Sequence, residues 1–228
     1  VIVSNELLVQ HIRHVKITPA APISYEAGQF FLLRLKNSVG DYVERSYSVA
    51  NFGEGTLLEF VIRIEPHGQM TGLIDQLKTG DSLDIKGPFG RFGFPSLGET
   101  PSRMTLIAGG VGISPLRSMI QKSFQSGDNF PLQLFYGFRT PQDFLFREEL
   151  EAYRNSGRLQ IFPAVSEGGD QPWEGQRGFI SDCLEGNIFS PESNVACFLC
   201  GPPPMVKATR EKLFSLGFDR KQVHVEAW

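Results

Sequence analysis

Seven residues, Gly109-Gly110-Val111-Gly112-Ile113-Ser114-Pro115, place three glycines, a hydroxyl and a proline directly after an apolar run. Glycines at a strand-to-helix turn let the backbone approach a phosphate, and a helix N-terminus adds unpaired N–H groups and partial positive charge. The spacing departs from G-x-G-x-x-G because Pro115 holds the last position, and a ligand-free tight turn fits the same residues. A second turn, Cys200-Gly201-Pro202-Pro203-Pro204-Met205, follows another apolar run. Cys197 and Cys200 have C-x-x-C spacing, but residues three apart on a strand face opposite sides. Cys197 therefore reads as core, and Cys200 as a small polarisable group at a strand tip, able to touch a ligand. Arg45-Ser46-Tyr47-Ser48 offers a guanidinium for phosphate, hydroxyls for a polar ring edge and an aromatic for a ring face. Alternation sets Arg45 and Tyr47 on one strand face and Ser46 and Ser48 on the other. Gly68-Gln69-Met70-Thr71, a glycine turn with a hydroxyl at a helix start, is a further phosphate candidate. A solvated strand edge is the competing reading of these last two segments.

The elements that must carry these groups change character along the chain. Residues 30–35, 57–64 and 82–85 read as strands, with Gly and Pro between them and one short helix over 71–77. Short strands with close turn signals predict an antiparallel sandwich or barrel. Beyond residue 100, strands over 104–108, 132–136, 159–165, 195–199 and 222–225 alternate with helices over 147–154, 179–184 and 205–216. A further helix follows Ser114 as N-cap, with Pro115 at its first position. That alternation predicts a parallel sheet with right-handed crossovers. Turn-formers cluster at 95–102, which puts the domain boundary between 99 and 100, giving domains 1–99 and 100–228.

Composition narrows the function classes. A chain of 228 residues falls between one domain and two. With 22 basic and 25 acidic residues it lacks the footprint of a nucleic-acid binder. Three cysteines do not make a disulfide scaffold and suit a reducing compartment, the cytoplasm. The sequence has no apolar run of membrane-spanning length and no signal-peptide pattern at its start. Its first residue is Val1 rather than Met, so the chain is processed or part of something longer. His11, His14, His67 and His224 lack metal spacing and read as surface or strand residues, and Asp143 to Glu149 reads as a charged helix start. Trp173 lies in a loop, where it either covers a ligand or packs beneath the loop.

Taken together, these segments resemble the ferredoxin–NADP reductase superfamily. Arg45-Ser46-Tyr47-Ser48 is similar to its flavin motif Arg-x-Tyr-Ser/Thr, and Glu26-Ala27-Gly28-Gln29-Phe30 to the strand signature before it. Gly68-Gln69-Met70-Thr71 resembles the pyrophosphate segment, and Lys86-Gly87-Pro88-Phe89-Gly90 the Gly-Pro-x-Gly turn near the end of the flavin domain. The turns at 109–115 and 200–205 resemble the two nicotinamide-nucleotide motifs, and Glu226-Ala227-Trp228 the terminal Glu-x-aromatic. The matches run in family order over nearly the whole chain, and the bacterial NADH-dependent reductases that serve oxygenases look most similar.

The resemblance implies an antiparallel Greek-key β-barrel that binds flavin, followed by an α/β Rossmann-like parallel sheet that binds nucleotide, with flavin in the cleft between them. It implies FAD rather than FMN. Arg45 would contact flavin phosphate beside Ser46, Tyr47 would lie against the isoalloxazine, and Ser48 would sit near N5. Gly68, Met70 and Thr71 would hold the pyrophosphate. Gly110, Gly112, Pro115, Gly201, Pro202 and Met205 would bind the pyridine nucleotide. Cys200 and Glu226 would flank the nicotinamide, and Trp228 would cover the ring face where it stacks. Ser166-Glu167 occupies the place where the family more often has Ser-Arg, and a carboxylate there favours NADH over NADPH. Arg139 could be read as an NADP residue but is taken as solvent-facing. Three cysteines cannot supply the four ligands of a [2Fe-2S] cluster, so the chain itself is expected to hold none. The resemblance implies that electrons pass to a protein acceptor: a ferredoxin, a [2Fe-2S] domain or an oxygenase component. Two alternatives stand beside this: an NAD(P)H:flavin reductase that releases reduced flavin, and a flavin relay subunit that does not react with pyridine nucleotide.

Overall fold

The computed structural model describes residues 1–94, 101–167, 169, 171–192 and 194–227, with Ala227 described by its backbone. Two compact units result: Val1–Ser96 with Arg117–Ser126, and Leu97–Leu116 with Gly127–Trp228. The boundary expected between 99 and 100 lies outside the described residues.

In the first unit, β1 (Ile2–Val9), β2 (Ile12–Ile17) and β5 (Leu58–Arg63) form one antiparallel sheet. A second holds β4 (Tyr42–Ser48), β3 (Phe30–Lys36) and β6 (Asp84–Phe89), in that order. Phe31, Leu33 and Leu35 are buried while their neighbours in β3 are not, as period-2 alternation requires. They join Val15, Ile17, Leu58, Phe60 and Ile62 from the other sheet in one core, capped by Met70 and Ile74 of α1 (Gln69–Gln76). Asn5 Nδ2 closes the end of α1 by donating to the carbonyls of Ile74 (2.8 Å) and Leu77 (2.9 Å).

Two strands escape the sequence pattern. β1 buries only Ile2 fully, and β2 carries Arg13, His14 and Lys16 among its apolar residues. β6 begins two residues later than expected and runs through Gly87-Pro88 at the sheet's edge, where the missing proline N–H is tolerated. A side chain at Gly87 would reach within 2.6 Å of the Phe31 ring, so only glycine lets this strand lie across the core.

The second unit is one parallel sheet in the order β10-β9-β8-β7-β11-β12. Its strands are β7 (Arg103–Gly109), β8 (Leu132–Phe138), β9 (Leu159–Val165), β10 (Gln176–Arg177), β11 (Val195–Gly201) and β12 (Val223–Ala227). The helices are α3 (Arg147–Asn155) and α4 (Pro203–Ser215), and α2 (Ile113–Gln125) begins in this unit and belongs to the first from Arg117 onward. β11 is buried throughout, as expected of a parallel strand covered on both faces. The short helix expected near 179–184 is a 3₁₀ turn, Ile180–Cys183. Among the described residues, no helix is long and apolar enough to cross a membrane, and no His/Cys/Asp/Glu cluster could hold a metal ion.

Candidate functional site

Across β7 and β11, Cys200 pairs with Ala108, so the two glycine turns leave the sheet side by side at its carboxyl edge. They interlock closely, through backbone at Gly112 and Gly201 and through the Met205 and Pro202 side chains at Gly109. A Cβ on Gly109 would stand 2.4 Å from Met205 Sδ and 2.9 Å from Pro202 Cδ. One on Gly112 would stand 2.2 Å from the Cys200 carbonyl oxygen, and one on Gly201 3.1 Å from Gly109 Cα. Gly110 has φ +54°, a left-handed conformation that glycine adopts without strain.

Gly110–Gly112 forms a 3₁₀ turn running directly into α2. Ser114 was the expected N-cap, but the helix starts at Ile113, and Ser114 Oγ instead donates to the Val111 carbonyl (2.8 Å). Pro115 falls in the first helical turn, where its missing N–H orphans nothing. The preceding 3₁₀ turn moves the start, and no residue pattern marks it. Neither segment has an acidic residue in its first turn, and Gly109 supplies no side-chain cap. The leading amides therefore present a cradle suited to an anion. α4 differs: it begins at Pro203-Pro204, which removes two amide donors, so this second turn contributes shape more than hydrogen bonds.

Cys200 and Glu226 are direct neighbours across β11 and β12, and the Cys200 thiol donates to Glu226 Oε2 (3.6 Å). Cys200 is wholly buried rather than open at the strand tip, since β11 continues to Gly201. Burial, with the Glu226 carboxylate adding to it, pushes the thiol well above its usual range, so it stays protonated and donates. Cys197 is core, as read. Trp228 lies outside the described residues.

At the end of β9, the Ser166 amide donates to the Phe138 carbonyl (3.0 Å) and the Glu167 amide to the Arg139 carbonyl (2.8 Å). Arg139 is solvent-facing but pairs with Glu167 (Nε–Oε1 3.7 Å), both side chains about two-thirds exposed (66 % and 63 %). Trp173 packs edge-on against Phe138 and Phe144, and its Nε1 donates to the Gln176 carbonyl, which ties it beneath its own loop.

In the first unit, Arg45-Ser46-Tyr47-Ser48 closes β4, the outer strand of its sheet. Arg45 and Ser46 are exposed, and Arg45 Nη1 donates to the Glu44 carbonyl. Tyr47 packs against the barrel core, and burial lifts its phenol to about 12 despite the opposing Arg45 charge, so it remains a neutral donor. Ser48 is half-buried. At the start of α1 the Thr71 hydroxyl accepts from the Glu65 amide (3.2 Å) and donates to the Gly68 carbonyl (3.3 Å), closing the preceding loop. A Cβ on Gly68 would fall 2.3 Å from that hydroxyl. The Met70 side chain is in the core, so its amide is what the helix start can offer. α1 also lacks a side-chain cap and a first-turn carboxylate.

Glu59 and Arg117 went unread, and with them their link to His14, which lies in β2 and is buried. His14 Nε2 and Arg117 Nη1 each lie 2.9 Å from Glu59 Oε2, and Arg117 Nη1 also donates to the Ala50 carbonyl (2.7 Å). Ala50 is two residues past Ser48. Burial raises the Glu59 pKa, but His14 and Arg117 overcome it and hold the carboxyl at about 2. The available signal was an arginine on an apolar stripe, since Ile113, Leu116, Arg117 and Ile120 share one helix face.

Two family models match, the oxidoreductase FAD-binding domain over residues 3–94 and the oxidoreductase NAD-binding domain over residues 106–211. The chain belongs to the ferredoxin–NADP reductase superfamily. Ferredoxin--NAD(P)(+) reductase CarAd of Metapseudomonas resinovorans is 32 % identical over all of this chain and 68 % of its own length. Ferredoxin--NADP reductase B of Sorangium cellulosum is 33 % identical over 90 % of this chain and 85 % of its own. The solved ferredoxin reductase of carbazole 1,9a-dioxygenase superposes at TM-score 0.86 with 31 % identity, covering 100 % of this chain and 67 % of that one. Other curated relatives are spanned only in part, 56 % and 62 % of the glycine betaine monooxygenase reductase subunit and of XylA. The uncapped amides of α1 beside Gly68, and the cradle at Gly110 and Gly112, fit the phosphates of FAD and of a pyridine nucleotide respectively.

Proposed function

We propose that this chain is an NADH-dependent FAD reductase module that delivers single electrons to a protein acceptor, a ferredoxin, a [2Fe-2S] domain or an oxygenase component. The observation that carries this reading is the pair of interlocked glycine turns beside the Cys200–Glu226 contact, in a chain that also holds an FAD-binding domain. When bound, flavin supplies the conversion between two-electron and one-electron chemistry, and the protein supplies positioning and electrostatics.

In this reading Arg45 meets a flavin phosphate with Ser46 beside it, Tyr47 the flavin ring, and Ser48 its polar edge. The amides from Gly68 through Met70 and Thr71 hold the pyrophosphate. Gly110, Gly112 and Pro115 receive the nucleotide phosphates, while Gly201, Pro202 and Met205 shape the neighbouring wall. Glu226 orients the nicotinamide, and the buried Cys200 thiol fixes the Glu226 carboxylate. Ser166 and Glu167 address the adenosine ribose, where the Glu167 charge opposes a 2′-phosphate and supports NADH. Three buried free thiols suit the cytoplasm, and the domain boundary is proposed between 99 and 100.

Anaerobic absorbance titration tests the reading. Retained flavin that bleaches with NADH, and less readily with NADPH, supports it. Flavin lost on desalting favours a reductase that releases its flavin, and flavin indifferent to both nucleotides favours a relay subunit.

A further inference from the structure

Tyr136 is wholly buried in β8, and its hydroxyl donates to the Gly110 carbonyl (3.0 Å). The Ile113 amide bonds the same oxygen. Two donors occupy both acceptor directions of that carbonyl. In a planar trans peptide the carbonyl and the following N–H point opposite ways, so anchoring the Gly110 oxygen inward aims the Val111 amide away from the core. Gly110 is the residue least able to hold this orientation itself, because glycine moves readily between backbone conformations. Tyr136 in turn packs edge-on against the stacked rings of Phe138 (5.0 Å) and Phe144 (5.6 Å), which limits the travel of its hydroxyl.

We infer that Tyr136 is a positioning residue for the pyridine nucleotide: its hydroxyl sets the Gly110–Val111 peptide so that the turn presents its amides to the phosphates. The inference rests on the proposed reading of this turn as the nucleotide site. Tyr136 acts through Gly110.

Tyr136→Phe removes the hydroxyl and leaves the Ile113 amide on the carbonyl, so no buried oxygen is orphaned. The expected result is a KM for NADH raised about fivefold, equivalent to one neutral hydrogen bond of about 1 kcal/mol, with kcat within about twofold and flavin retention unchanged. Hydrogen exchange should quicken at residues 110–113 and not along β7. Leu184→Val, a core truncation in the same unit, should lower thermal stability without moving KM. An unchanged KM in Tyr136→Phe, or the same rise in Leu184→Val, overturns the inference while leaving the function standing. A wild-type protein whose flavin ignores NADH removes the function and the inference with it. Should Tyr136→Phe fold poorly, exchange at 110–113 measured with and without NAD⁺ in the wild type decides: no protection of this turn overturns the inference.

Discussion

Gly112→Ala gives the sharpest test of the interlocked turns. The φ of Gly112 is not left-handed, so alanine can adopt the backbone and the whole effect is contact. Its Cβ would stand 2.2 Å from the Cys200 carbonyl oxygen, against a floor of 3.0 Å for real Cβ contacts. The turns must therefore part by at least 0.8 Å, the difference 3.0 − 2.2. The obstacle is backbone in a buried strand, which cannot rotate aside. Overpacking of this kind costs about 1–3 kcal/mol, and a displacement near 1 Å in a positioning element costs about 10²-fold in rate. The expected outcome in anaerobic stopped-flow is a fall of about 10²-fold in kcat/KM for NADH, with the flavin still bound. Gly127→Ala is the control: Gly127 has φ +71° and nothing within 4 Å of an added Cβ, so it is strained without touching the turns. It should lose about 1–2 kcal/mol of stability and keep its NADH kinetics. If Gly112→Ala reduces flavin with wild-type constants, or Gly127→Ala shows the same kinetic loss, the argument from turn geometry is wrong.

Three further outcomes follow from the same contacts. In the proposed nucleotide site, Glu167→Arg would remove a repulsive charge and add a phosphate ligand beside Arg139, so the NADH/NADPH ratio of kcat/KM should fall about tenfold or more; stability should barely change, because the Arg139–Glu167 pair is solvent-screened. Cys200→Ala deletes the thiol donor to Glu226 and should slow flavin reduction about tenfold with flavin content unchanged; an unaltered stopped-flow rate would remove Cys200 from the mechanism. Glu59 has a folded pKa of about 2, below its ordinary 4.5, so its stabilisation is complete above the ordinary value and is lost as pH falls toward 2. The thermal midpoint of the wild type should drop more steeply from pH 5 to pH 3 than that of Glu59→Gln, and parallel curves would refute the assignment.

How legible these features were depends on whether local chemistry alone specifies them. The parallel strands other than the two-residue β10 were read because continuous apolar runs such as residues 104–108 admit few other structures between turn signals, whereas Gln176–Arg177 has no such run. The glycine turns were read because close backbone approach demands glycine, and the space at Gly109, Gly112 and Gly201 shows that demand. β2 was missed because Arg13, His14 and Lys16 break its pattern, and a partner 45 residues away, Glu59, is what makes a buried His14 acceptable. The start of α2 was misplaced by a 3₁₀ turn held in part by Tyr136, a residue of the next strand. Cys200 was read as open at the strand tip, and its closure by Glu226 depends on the β11–β12 register, which one strand's sequence does not contain.

The Glu59–Arg117 pair shows why such long-range chemistry is worth its desolvation. A buried ion pair often does no better for stability than an apolar cluster of equal volume. Arg117, however, spends the same Nη1 on the Glu59 carboxylate and on the Ala50 carbonyl, and Glu59 is oriented from the other side by His14. The Ala50 amide meanwhile donates to the Glu59 carbonyl (2.7 Å). Both polar groups of Ala50 are thus tied to one place, and Ala50 ends the stretch that begins with Arg45-Ser46-Tyr47-Ser48. A leucine at 117 could fill the volume and leave the exit of that strand free to shift. The network is best understood as geometric: charge is buried so that the backbone leaving β4 has one position, and the side chains of Arg45 to Ser48 just before it inherit that position.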